Sequence, residues 1–185
     1  MLLFIDMRGN FSQRYLPEFV YGSIDGIVTT FAVVAGAVGA SLSPAIVIVL
    51  GLANLFADGF SMAISNYLSM RSQIDLHRGH KDARRVSLQT KNPMRTALAT
   101  FISFLIMGLI PLCSYILALG LPSLVSYQVI LTTALTAVAL LLVGGIKGLV
   151  TKRPLFASAF ETLMIGGAAA IIAFVVGYLL RGLVG

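Results

Sequence analysis

The chain of 185 residues contains one cysteine, no tryptophan and only seven acidic side chains. The lone thiol, Cys113, excludes an intrachain disulfide and leaves the redox compartment undefined. Asp, Glu, Lys and Arg make up 11% of the residues, where soluble domains carry about a quarter. That scarcity of charge excludes an ordinary soluble domain. No Ser/His/Asp or Cys/His set is placed for nucleophilic chemistry, and the glycine-rich stretches follow no strand and cradle no phosphate. An enzyme is therefore not expected. The opening MLLFIDMRGN is too short an apolar stretch and has no cleavage pattern, so it is not read as a signal peptide.

What is present is apolar sequence, 58% of the chain, with a mean hydropathy of +0.95. An integral membrane protein of one domain follows. Five stretches approach or exceed the roughly 20 residues needed to cross a bilayer: 19–40, 44–70, 96–119, 125–149 and 155–180. A helix satisfies its own backbone in lipid. The expected fold is thus all-α and polytopic, a bundle of five transmembrane helices with Pro111 kinking the third. Residues 71–95 form a short basic loop.

The basic residues sort by loop. Arg8 and Arg14 precede the first span. Arg71, Arg78, Lys81, Arg84, Arg85, Lys91 and Arg95 lie between the second and third. Lys147, Lys152 and Arg153 lie between the fourth and fifth. The links at 41–43 and 120–123 have none, and the C-terminal end has only Arg181. Cytoplasmic loops collect Lys and Arg, so the N-terminus is expected in the cytoplasm and the C-terminus outside. This accounts for the net charge of +6 without nucleic acid, and no aromatics interleave with the basic loop residues as base stacking would need. Small residues recur within the spans: Gly22 with Gly26 and Gly144 with Gly148 form GxxxG, and Gly36 with Ala40 and Ala53 with Ala57 repeat the spacing. Such pairs let helices approach closely, either within the chain or between copies.

Three acids, Asp25, Asp58 and Glu161, fall inside spans, and Glu18 stands at the mouth of the first. An ionised side chain at mid-bilayer costs at least about 2.5–3.5 kcal/mol, so each is a functional candidate. At roughly 100° per residue, Glu18 and Asp25 share a stripe with Thr29. On the second helix Asn54, Asp58, Ser61, Ser65, Ser69 and Ser72 fall within a sector of roughly 80°, bordered by Met62. Facing each other, the two stripes would line a wet path. Carboxylates, an amide oxygen and a thioether suit a divalent first-row metal, and the sulfur tilts the set toward iron(II) over magnesium or manganese. The same carboxylates bind protons, so metal and proton would compete for one site. Asp25, Asp58 and Glu161 are the proton-coupling candidates. The bland readings stand beside these: Asp58 as a structural acid bonded to a neighbouring helix, Asp25 as an N-terminal helix charge, Glu18 as a helix-start acid after Pro17, Met62 as core, and Glu161 paired with Lys152 or Arg153. His77 and His80 form HxxH on the basic loop, where solvated histidines are the commoner case.

SIDGIVTTFAVVAGAVGAS followed by GLANLFADGFSMAISNYLS resembles the vacuolar iron transporter family, including its bacterial relatives. NPMRTALATFISFLIMGLIPL and GGIKGLVTKRP with FETLMIGG are similar to it less specifically, and the resemblance covers nearly all of the chain after Pro17. It implies a homodimer that moves iron(II), and often manganese(II), out of the cytoplasm in exchange for protons, along a path at the dimer interface. The resemblance matches the family's first-helix acids to Glu18 and Asp25, and its second-helix methionine to Met62. Plant members use a glutamate two turns before that methionine; Asn54 stands here, and Asp58 is expected to take over its charge. A second departure is the basic loop. Metal-transporting members carry a glutamate-rich cytoplasmic insert there, whereas residues 71–95 hold seven basic residues and no glutamate. The chain is a short form without the metal-collecting insert. The alternative reading is therefore a non-transporting membrane dimer that senses metal or scaffolds a partner; a carrier of another cation is a third. No prosthetic group is expected, the metal being cargo. A plasma membrane is expected for a prokaryotic source, a vacuolar-type membrane otherwise.

Overall fold

The computed structural model describes residues 9–77 and 91–183, with side chains over 15–76 and 91–183. Among the described residues every regular element is helical: α1 (Gly9–Gly39), α2 (Pro44–His77), α3 (Pro93–Gly108), α4 (Cys113–Gly120), α5 (Gln128–Thr151) and α6 (Leu155–Leu180), with 3₁₀ turns at Ile110–Leu112, Pro122–Tyr127 and Arg181–Leu183. Five helical stretches are long and apolar enough to cross a membrane: Tyr15–Gly39, Pro44–Leu76, Pro93–Gly120, Pro122–Thr151 and Leu155–Leu183. The protein is an all-helical integral membrane protein.

The helix ends follow from local chemistry. At the end of α1, Ser41 takes the left-handed conformation (φ 58°), Leu42 N–H bonds Ala37 O at 2.9 Å and Ser41 N–H bonds Val38 O at 3.0 Å. Those bonds satisfy carbonyls that the helix end would orphan. Lys152 (φ 55°) closes α5 in the same way, with Arg153 N–H on Gly148 O at 3.0 Å. Asn92 starts α3: its Oδ1 accepts from Met94 N–H and Arg95 N–H, and Pro93 takes the first helical position. The third span breaks at the proline, as expected. Pro111 has no N–H to continue the ladder, so α3 stops at Gly108 and α4 begins at Cys113. Buried hydroxyls hold the break. Thr132 Oγ1 donates to Pro111 O at 3.0 Å and accepts from Ser114 Oγ, whose oxygen also lies 3.1 Å from Gln128 O.

Helix α1 is the centre of the bundle. It packs against α3 on one side and α6 on another, while α2 leans chiefly on α3 and α5 on α6. Three of the four small-residue pairs serve these internal seams, while Ala53 and Ala57 are exposed on α2. A Cβ placed on Gly26 would lie 2.5 Å from Phe104 O of α3, and one on Gly22 would collide with Ser103 Oγ. Gly144 and Gly148 seat on Thr162 and Ser158 of α6, and Gly36 lies against Ala173. Of the alternatives left open by their spacing, the GxxxG motifs therefore serve packing within the chain. Two apolar clusters fill the interior, Val34, Ala37, Val47, Leu112 and Tyr115 in one, Ile27, Ala139, Leu140 and Val143 in the other. Large side chains such as Phe156 and Leu179 face outward, as hydrocarbon permits.

Candidate functional site: two membrane acids between α1 and α2

Asp25 on α1 and Asp58 on α2 lie close enough for their charges to act on each other, and both are half-buried. Each is followed by a glycine, and both glycines seat on one residue. Gly26 approaches the Phe104 carbonyl, and a Cβ on Gly59 would lie 2.9 Å from Phe104 Cδ1. Phe104 is fully buried. It is the wedge of α3 against which the two acid-bearing turns are set. Sequence reasoning passed over it; the signal was the Asp-Gly dipeptide repeated at 25–26 and 58–59.

Neither carboxylate has a hydrogen bond or ion pair to protein among the described residues. Asn54 and Met62 lie one turn before and one turn after Asp58 and are half-buried; Asn54 Nδ2 is buried with no hydrogen-bond partner. On α1, the Thr29 hydroxyl donates to Asp25 O at 2.8 Å, so its donor is spent on the backbone. The α2 side of the site is thus amide, carboxylate and thioether at successive turns, with a second carboxylate across from it. No group of three or more His, Cys, Asp or Glu side chains is gathered among the described residues. A dication held here by one chain would take its remaining donors from Asn54, Met62, backbone carbonyls or water.

The other two candidate acids, Glu18 and Glu161, are paired with lysines. Lys91 Nζ donates to Glu18 Oε1 and Oε2 at 2.7 and 2.9 Å, and Glu18 lies two helical turns, about 10 Å, along α1 from Asp25. Glu18 sits well inside α1, not in its first turn. Glu161 is exposed and pairs with Lys147 at 3.4 Å, the partner being Lys147 where Lys152 or Arg153 was expected. The serines of the α2 stripe, Ser61, Ser65, Ser69 and Ser72, are exposed on the outside of the chain and do not face α1. Asn66 instead reaches inward, its Nδ2 donating to Thr100 Oγ1 at 2.8 Å. The side chains of His77 and His80 lie outside the described residues.

A model described as the VIT family matches residues 16–91 and 81–178. The two stretches overlap in the basic loop. A vacuolar iron transporter of Toxoplasma gondii is 27% identical over 234 residues, covering 95% of this chain and 78% of its own length. That alignment is longer than the 185-residue chain, so the relative carries inserted residues. Vacuolar iron transporter 1 of Eucalyptus grandis is 26% identical over 210 residues, covering 85% of this chain and 83% of its own. A vacuolar iron transporter of Plasmodium berghei is 49% identical over 63 residues, which is 34% of this chain and 23% of that protein.

Proposed function

The chain belongs to the VIT family, and from that premise we propose that it carries a divalent first-row metal ion, iron(II) foremost and manganese(II) as a second substrate, across the membrane in exchange for protons. The observation that carries this reading is the Asp25–Asp58 pair. Two carboxylates within membrane spans lie close enough for their charges to act on each other, and no cation of the described protein answers them. Like charges placed so are costly in a low-dielectric setting and are repaid when a dication or protons arrive. Asp25 and Asp58 bind the ion, the Met62 thioether and Asn54 amide complete its donors, and protonation of the same carboxylates releases it. Names of the relatives, all vacuolar iron transporters, support the substrate.

Twelve of the thirteen basic residues flank one set of helix ends, which supports a cytoplasmic N-terminus and an external C-terminus. Export of a dication then works against a negative-inside potential at about 2.3 kcal/mol per charge per 100 mV, and inward protons supply that work. The outward polar face of α2 supports a homodimer in which a second copy covers Ser61, Ser65 and Ser69. One observation favours the second reading, a membrane dimer that senses metal or scaffolds a partner: the loop at 71–95 holds no glutamate to collect metal.

The test is reconstitution of the full chain in vesicles with an imposed pH gradient, following iron(II), manganese(II) and other divalent ions. Flux is expected for the wild type and a loss of at least about tenfold for Asp25→Asn. Equal flux through both removes Asp25 from the mechanism. Metal binding without flux favours the sensor.

A further inference from the structure

We propose that Lys91 is a built-in cation that occupies Glu18 and is displaced when a divalent metal enters the path toward Asp25 and Asp58, so that Lys91 sets the affinity and the charge selectivity of loading. The proposal rests on the transport reading given above. The geometry is specific. Lys91 Nζ reaches both Glu18 oxygens, at 2.7 and 2.9 Å, across 73 residues of sequence. The side chains are 25% and 12% exposed, so the pair is shielded yet reachable. The ammonium also lies 5.9 Å from the centre of the Tyr15 ring, a distance at which the ring face attracts a cation. Its backbone is held in place because the next residue, Asn92, caps α3.

The bridge is not needed to join α1 to α3. One turn beyond Glu18, Gly22 already seats on Ser103 and Thr100, and Gly26 seats on Phe104. A tethered ammonium beside a carboxylate does something else. It competes with any incoming ion at the high effective concentration of an intramolecular partner. A monovalent ion offers the same charge without the tether and loses. A dication offers twice the charge, and it coordinates both carboxylate oxygens where an ammonium only donates hydrogen bonds to them. Lysine suits the role because its charge is a compact point on a flexible stem that can swing aside.

The test uses the full chain as wild type, Lys91→Met, Lys91→Arg, Glu18→Gln and Glu18→Gln/Lys91→Met, with Lys91→Gln in place of Lys91→Met if the latter does not elute as folded protein. Manganese(II) is the probe. Binding in detergent is followed by loss of the free-ion electron paramagnetic resonance signal, and flux is followed in vesicles. Lys91→Met is expected to lower the half-saturating concentration about threefold or more without lowering the maximal rate. Lys91→Arg is expected to stay within about twofold of the wild type. In the Glu18→Gln background, removing Lys91 is expected to change nothing. An unchanged or weaker affinity in Lys91→Met overturns the proposal, and so does the same shift in the Glu18→Gln background. A Lys91-dependent shift in binding with no flux in any variant sustains it and overturns transport. Flux without a Lys91 shift overturns this proposal alone, and a wild type with neither binding nor flux overturns both.

Discussion

Gly26 and Gly167 are both glycines of membrane helices, and their surroundings are opposite. A methyl group on Gly26 meets the Phe104 carbonyl oxygen at 2.5 Å, a backbone atom that cannot swing away; one on Gly167 meets nothing within 4 Å. Gly26→Ala is expected to destabilise the protein by about 1–3 kcal/mol through overpacking, and Gly167→Ala to leave it unchanged or slightly more stable through its better helix propensity. Thermal unfolding of the two variants in detergent checks this, and equal melting temperatures would remove the Phe104 seat from the account of how the acids are positioned. The acids themselves were legible in the sequence as residue types out of place in hydrocarbon. Their partners were not. Glu18 meets Lys91 across 73 positions, and Glu161 chooses Lys147 over the equally basic Lys152 and Arg153. Such choices are made by packing between helices, which no spacing within one helix encodes.

At the scale of the element, the break in the third span is held by side chains of the fourth. Thr132 is buried and donates to Pro111 O, and it shares a hydrogen bond with Ser114. Thr132→Val keeps the shape and leaves that carbonyl and hydroxyl short of a partner, at a cost of about 1–3 kcal/mol. Thr133→Val loses only a bond to Val129 O on its own exposed helix face, and less than about 0.5 kcal/mol is expected. Unfolding of the two variants side by side separates them. The helices were legible because an apolar run of membrane length admits one backbone solution. Their ends were less so. Helix α1 starts at Gly9 and α2 runs to His77, both beyond the apolar runs, because a helix leaving lipid can continue on its own hydrogen bonds. The angular sector of the α2 serines followed from helix geometry; that they face away from α1 depended on where α3 sits.

At the scale of the molecule, the outward serines and the single cysteine make the assembly testable. In a Cys113→Ala background the chain is free of thiols. Ser65→Cys, on the exposed face of α2, is expected to cross-link between copies in membranes, while Leu142→Cys, exposed on α5, stays uncoupled. Absence of cross-linking at Ser65 and at its neighbours Ser61 and Ser69 would count against a dimer built on α2. The bundle itself has two kinds of joint. Helix α1 meets α3 and α6 through glycine against main chain, as at Gly26 on Phe104 O and at Gly177 on Gly36 O. Helix α2 meets the third span through side-chain ends, Gly59 on the rings of Phe101 and Phe104 and Gly51 on Leu112. Main-chain joints leave nothing to compress, so α1, α3 and α6 form the fixed jaw of a vice. The α2 jaw rests on rings and methyls that can turn, so a change in the spacing of the two carboxylates would meet least resistance from that side.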